Sequence, residues 1–270
     1  MIDLAYVKRK KRKKAAAIIS AVGTFGVVTL IILALIGKRL GNFTVKMENH
    51  GVSLAFAEDA NSDVTTTFLS LNNVPAYSVY YYSHMMDHYS DDVMDSTESN
   101  GKIGARTDAD DNVTGTYFFK YTFYLRNVGK TDAIYNSRFY IDATEKPKNV
   151  SYDLADLLRV KFYDNAADEA THTSEIYAKK DIAFHQDENG AESYDTFVGK
   201  DDDNKIVGGY ATQFVDDKIV FNRKGYELKA GEVRRITFVT WLEVTDPQAS
   251  GTTPDKTSIK LSMNIDAHEI

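Results

Sequence analysis

Gly115-Thr-Tyr-Phe-Phe-Lys-Tyr-Thr-Phe-Tyr-Leu-Arg-Asn127 is the stretch that decides the fold class. In an extended chain Phe119, Tyr121, Phe123 and Leu125 share one face, and Lys120, Thr122, Tyr124 and Arg126 share the other. Alternation with a period of two, in a segment rich in aromatic and β-branched residues, is the pattern of a β-strand with one face in a core. Asn127-Val128-Gly129-Lys130 supplies turn chemistry, and residues 133–143 read as the next strand.

The same pattern recurs outward from this point. Residues 42–48 and 52–56 alternate on either side of Asn49-His50-Gly51, which predicts a hairpin. Residues 151–158 predict a short helix with Ser151 as N-cap, Asp153 in the first turn and Leu154, Leu157 and Leu158 on one face. Further strands are predicted at 159–163, 175–184, 210–215, 218–222, 233–243 and 258–266, separated by acidic, Gly-containing loops at 186–193 and 199–209. Residues 73–111 resist assignment and read as an insertion. About ten short strands divided by turns predict an all-β, jelly-roll-like β-sandwich. The chain has 17 Tyr and 14 Phe against 4 Pro, which excludes a disordered chain.

The N-terminus follows other rules. Residues 15–37 carry no charge, and 23 helical residues span about 34 Å, enough for a hydrocarbon core of about 30 Å. Seven bases stand before them: Lys8, Arg9, Lys10, Lys11, Arg12, Lys13 and Lys14. Only Lys38 and Arg39 follow closely, so the positive-inside rule puts the N-terminus in the cytosol. The same bases suit anionic lipid headgroups. The apolar run exceeds the usual signal-peptide core and lacks an A-x-A box, which favours a retained anchor over a cleaved leader. The expected organisation is a basic cytosolic tail at 1–14, a transmembrane helix at 15–37 and an extracellular β-sandwich at 38–270.

Charge and composition exclude several functions. Residues 41–270 hold 23 of the 32 bases and 38 of the 39 acids, a net charge of −15 that opposes nucleic-acid binding. With no cysteine in the chain, disulfides, thiolate metal sites and cysteine nucleophiles are excluded. A large exported domain without a disulfide points towards a bacterial surface.

Four local patterns invite chemical readings. Asp108-Ala-Asp110-Asp-Asn112 opens like a calcium loop, but Val113 replaces the required Gly and Phe119 stands at position twelve. It is therefore no EF-hand, and the candidates that remain are a weak calcium site at Asp108, Asp110 and Asn112, or one at Asp201 to Asp203. His84-Met-Met-Asp-His88 spaces two imidazoles four apart, yet Met85 stands where a zincin has Glu, so the segment reads as surface or packing. Residues 201–210 (DDDNKIVGGY) resemble a trypsinogen activation junction. His268 is the sole histidine after them and no Gly-Asp-Ser-Gly-Gly stretch follows, which excludes a protease, while the exposed loop suits cleavage after Lys205. Asn42, Asn112 and Asn149 head N-x-S/T sequons. There is no P-loop, dinucleotide fingerprint or nucleophile elbow.

Two longer stretches carry a family resemblance. One is Phe118 to Gly129 (FFKYTFYLRNVG) with Leu157-Leu-Arg-Val160. The other is Thr240-Trp-Leu-Glu243 with Asp246-Pro247, then Ser258-Ile-Lys-Leu-Ser-Met-Asn264. Together they resemble exported β-sandwich surface proteins of Gram-positive bacteria, the group around camelysin and the biofilm-fibre proteins. Val244 and Gln248 depart from that group's pattern. The resemblance implies a β-sandwich on the cell surface. Independently of it, Trp241 is expected to pack in the core beside Phe238 or its neighbours. A retained anchor opposes the fibre role that the group would otherwise suggest.

These readings converge on a non-catalytic, membrane-anchored surface protein for adhesion, matrix or envelope organisation. Its expected partners are membrane lipid at the helix and a cell-surface or matrix protein or polysaccharide at the domain. The alternatives are a membrane-tethered enzyme acting on envelope polymers and a subunit that exchanges strands in a fibre.

Overall fold

A computed structural model of the chain describes residues 43–61, 63, 65–71, 103–107, 113–148, 153–166, 168, 170–180, 184–186, 192–194, 197–200, 206–243 and 257–270. The chain divides into two compact units, Met1–Leu40 and Gly41–Ile270. The first unit, with the basic residues Lys8 to Lys14 and the apolar stretch 15–37, lies outside the described residues. Among the described residues no helix is long and apolar enough to cross a membrane.

The second unit is all-β, with two sheets packed face to face. Its strands are β1 (Phe43–His50), β2 (Leu54–Ala57), β3 (Phe68–Leu71), β4 (Ile103–Thr107), β5 (Val113–Asn127), β6 (Ala133–Glu145), β7 (Leu158–Asp164) and β8 (Thr173–Ala178). There follow β9 (Phe184–Gln186), β10 (Glu192–Tyr194), β11 (Phe197–Lys200), β12 (Ile206–Tyr210), β13 (Thr212–Gln213), β14 (Ile219–Leu228), β15 (Val233–Leu242) and β16 (Ser258–Glu269). One sheet runs β14-β6-β16-β1-β3, and the other runs β13-β8-β7-β15-β5-β2 with β4 also on β5. Two small hairpins, β9/β10 and β11/β12, complete the set.

The core lies between the sheets and is aromatic. Phe43 of β1 packs against Phe238 of β15 with ring centroids 4.6 Å apart, Phe139 of β6 lies 5.2 Å from Phe238, and Phe221 of β14 lies 4.7 Å from Phe162 of β7. Each such pair contributes about 0.5–1.5 kcal/mol beyond the area it buries. Phe119, Tyr121, Phe123 and Leu125 all enter this core, as their alternation predicts.

The opposite face of the larger sheet is buried as well. Phe118, Tyr163, Ala178, Val239 and Trp241 form a second apolar cluster there. Lys120, Thr122, Arg159, Lys161 and Thr237 share that face and are also buried. Every residue of β7 is buried, as expected of a strand covered on both sides.

Several local expectations need correction. Residues 42–48 and 52–56 do not form a hairpin. β1 pairs with β16 in parallel and with β3, whereas β2 pairs with β5 in the other sheet. Gly51, at φ 81°, makes the crossover between sheets, a conformation that glycine adopts without a Cβ clash. Trp241 is buried, as expected, and clusters with Val239, a neighbour of Phe238, rather than with Phe238 itself. Trp241 and Phe238 are an odd number of positions apart on β15, so they point to opposite faces and join different clusters.

The helix α1 is a single turn, Leu154–Leu157, and its N-cap is Asp153, not Ser151. The Asp153 carboxylate accepts from Ala155 N at 3.2 Å, and the Asp156 carboxylate accepts from Asp153 N at 2.8 Å, which completes a capping box. The strand expected at 175–184 stops at Ala178, and Phe184 starts β9. The expected loop at 199–209 contains a strand, since Ile206 pairs with Lys200 in the β11/β12 hairpin. The strand expected at 210–215 is divided between β12 and β13.

Candidate functional site

Among the described residues a concavity lies where β14 joins β6 on the smaller sheet. It is an open groove of about 690 Å³ lined by Arg138, Tyr140, Ile141, Asp142, Asp216, Asp217, Lys218, Ile219 and Asn264. Strand register brings these residues together. Asn264 of β16 stands opposite Arg138 of β6, Ser262 stands opposite Tyr140, and Tyr140 stands opposite Ile219 of β14. Arg138, Tyr140 and Asp142 alternate with the core residues Phe139 and Ile141, so pleating turns them away from the core.

The turn before β14 forms one wall. Asp216 Oδ1 accepts from Lys218 N at 2.8 Å and from Ile219 N at 2.7 Å, and Ile141 N donates to the Lys218 carbonyl at 2.7 Å. The two amides favour the charged carboxylate and hold the Asp216 pKa below its usual value. On the floor, Ser262 Oγ donates to Asp142 Oδ2, with Lys260 Nζ at 3.5 Å from the same oxygen. Asn264 Oδ1 is shielded from solvent and accepts no hydrogen bond. Lys179 of the neighbouring segment lies 3.5 Å from Asp217 and 2.8 Å from Asp156. Burial works to lower its pKa, and the two carboxylates outweigh burial, so the net shift is upward.

A second polar assembly sits between the sheets. Asp164 at the end of β7 accepts from Tyr135 Oη of β6 at 3.1 Å. Arg234 lies 3.9 Å from it and Arg223 lies 4.0 Å from it. Arg223 also stacks over Phe162 and Tyr226, at 5.1 and 4.9 Å from their centroids. Burial, then the Asp164 charge, pushes the Tyr135 phenol well above its ordinary pKa. With its side chains inside the sandwich, this assembly joins one sheet to the other.

Asp108, Asp110 and Asn112, singled out from sequence, lie outside the described residues. Residues 84–88 and 201–205 also lie outside them, as do Asp246 and Pro247. Among the described residues no group of three or more His, Asp or Glu side chains is arranged to hold a metal. The groove was not anticipated. Its one sequence signal is the polar alternation Asn136, Arg138, Tyr140, Asp142 in β6, which reads equally well as a solvated face.

No protein-family model matches this sequence, and neither the curated proteins nor the solved structures give a match to it.

Proposed function

We propose that this chain is a non-catalytic, membrane-anchored cell-surface protein that presents its β-sandwich for adhesion, matrix or envelope organisation. The observation that carries the reading is the position of the sandwich in the chain. Its first strand starts at Phe43, six residues after the uncharged stretch 15–37 that follows seven bases.

The strand orders support the jelly-roll form of this sandwich. With the short strands set aside, β14-β6-β16-β1 faces β8-β7-β15-β5, and the chain passes from sheet to sheet as in two interleaved Greek keys. The parallel pairing of β1 with β16 is a departure from the all-antiparallel form. This arrangement also fits the resemblance to the exported proteins around camelysin.

Fractionation of cells with protease shaving tests the proposal. Recovery of the full chain in membranes, with the body digested from outside, is the expected result. Release of a fragment lacking residues 1–37 into the medium contradicts the anchor. The runner-up is a membrane-tethered enzyme on envelope polymers, favoured by one observation: Asp142 and Asp216 line the same groove. Hydrolysis of cell-wall polymer that D142N and D216N each abolish would establish it.

A further inference from the structure

We propose that the groove between β6, β14 and β16 is a binding site for an uncharged glycan chain. This deepens the surface-protein reading by naming the class of its ligand.

Its acceptors are fixed before a ligand arrives. Two backbone amides pin Asp216, and Ser262 with Lys260 pins Asp142. Asn264 of β16 completes the lining. Donors stand beside them on Arg138 and Lys218, both exposed.

The charges are of both signs, with Arg138 and Lys218 facing Asp142, Asp216 and Asp217. A polyanion meets three carboxylates, and a polycation meets two cations. A hydroxyl group both donates and accepts, so a sugar ring satisfies each kind of wall group without a charge conflict. Tyr140 and Ile219 supply apolar surface for the C–H face of such a ring. The volume falls within the range of about 300–1,000 Å³ typical of small-ligand sites, and an open groove on a sheet face admits a chain.

The test uses the full chain in detergent micelles on an array of uncharged polysaccharides of glucose, mannose, galactose and N-acetylhexosamine, with heparin as the charged comparison. The expected result is saturable binding to at least one uncharged polysaccharide that persists at about 0.5 M salt, where long-range charge attraction is screened. R138A, D216A and N264L should each weaken it at least tenfold, while K229A on the far turn leaves it unchanged. The emission of Trp241 reports whether each variant is folded. Retention on heparin alone, equal binding by the groove variants, or no binding to any uncharged polysaccharide overturns the site. In those cases an intact membrane-fractionation result still upholds the surface-protein reading, so the two fail separately.

Discussion

Asn127 and Leu228 stand 101 residues apart, and Asn127 Nδ2 donates to the Leu228 carbonyl at 3.0 Å. The same amide donates to the Thr131 carbonyl at 2.9 Å, and its Oδ1 accepts from Gly129 N at 3.0 Å. One buried side chain thus holds the β5–β6 turn and the end of β14 together. N127A leaves two carbonyls and one amide without their partner, and an unsatisfied buried group costs about 1–3 kcal/mol. The expected loss of stability is about 2–4 kcal/mol, read from the urea midpoint at unchanged slope.

Asp164 sets a second expectation. It is the anion that Tyr135, Arg223 and Arg234 surround at the sheet junction. Removing one partner of a buried ion cluster leaves uncompensated charge, so D164A should destabilise the domain by about 3–5 kcal/mol. R234A, which leaves Arg223 beside the carboxylate, should cost less. Equilibrium denaturation of both variants ranks them, and equal losses would show that Arg223 alone does not hold Asp164.

The Asp216 turn predicts an acid-side pH dependence. Backbone amides of Lys218 and Ile219 lower its pKa in the folded chain below the ordinary carboxylate value that it has when unfolded. The contribution is present above that unfolded value and fades as pH falls through the lower, folded one. Between about pH 5 and pH 2 the stability of D216N should therefore fall less steeply than that of the parent. Parallel slopes of denaturation midpoint against pH would contradict the assignment.

Gly51 separates backbone strain from packing. Its φ is 81°, and a Cβ built there meets nothing within 4 Å. G51A should cost about 1–2 kcal/mol through the left-handed backbone alone, with no rearrangement of the core. Thermal melting gives the cost, and an unchanged near-ultraviolet spectrum shows that the core is intact.

Trp241 is the chain's single tryptophan and is fully buried on the outward face of the larger sheet. Its emission should be blue-shifted in the folded protein and move to the red on unfolding, in step with the far-ultraviolet signal if the domain is two-state. W241A should cost about 3–5 kcal/mol. A red emission from native protein would place the indole in water and remove the second cluster.

The sequence by itself determined that this domain is β, because side-chain alternation and turn residues are local. Phe119, Tyr121, Phe123 and Leu125 had to share a face once the segment was extended. β15 and β16 were likewise legible from their alternation. Which strands meet is a different matter, since pairing depends on contacts between distant segments that no short window contains. Val45 and Met263 are neighbours across a parallel pair 218 positions long in sequence, and nothing near either residue says so. The cap of α1 went to Asp153 because its carboxylate and that of Asp156 reach each other's backbone, a geometry that Ser151 did not reveal.

Only the tertiary structure decided the outward face of the larger sheet and the groove. Lys120, Arg159 and Lys161 read as solvated charges, yet that sheet is covered on both sides and they are buried. Arg138, Asp142, Asp216 and Asn264 read as scattered surface residues. They become one groove because β6, β14 and β16 lie side by side in register, and register is a property of the folded sheet.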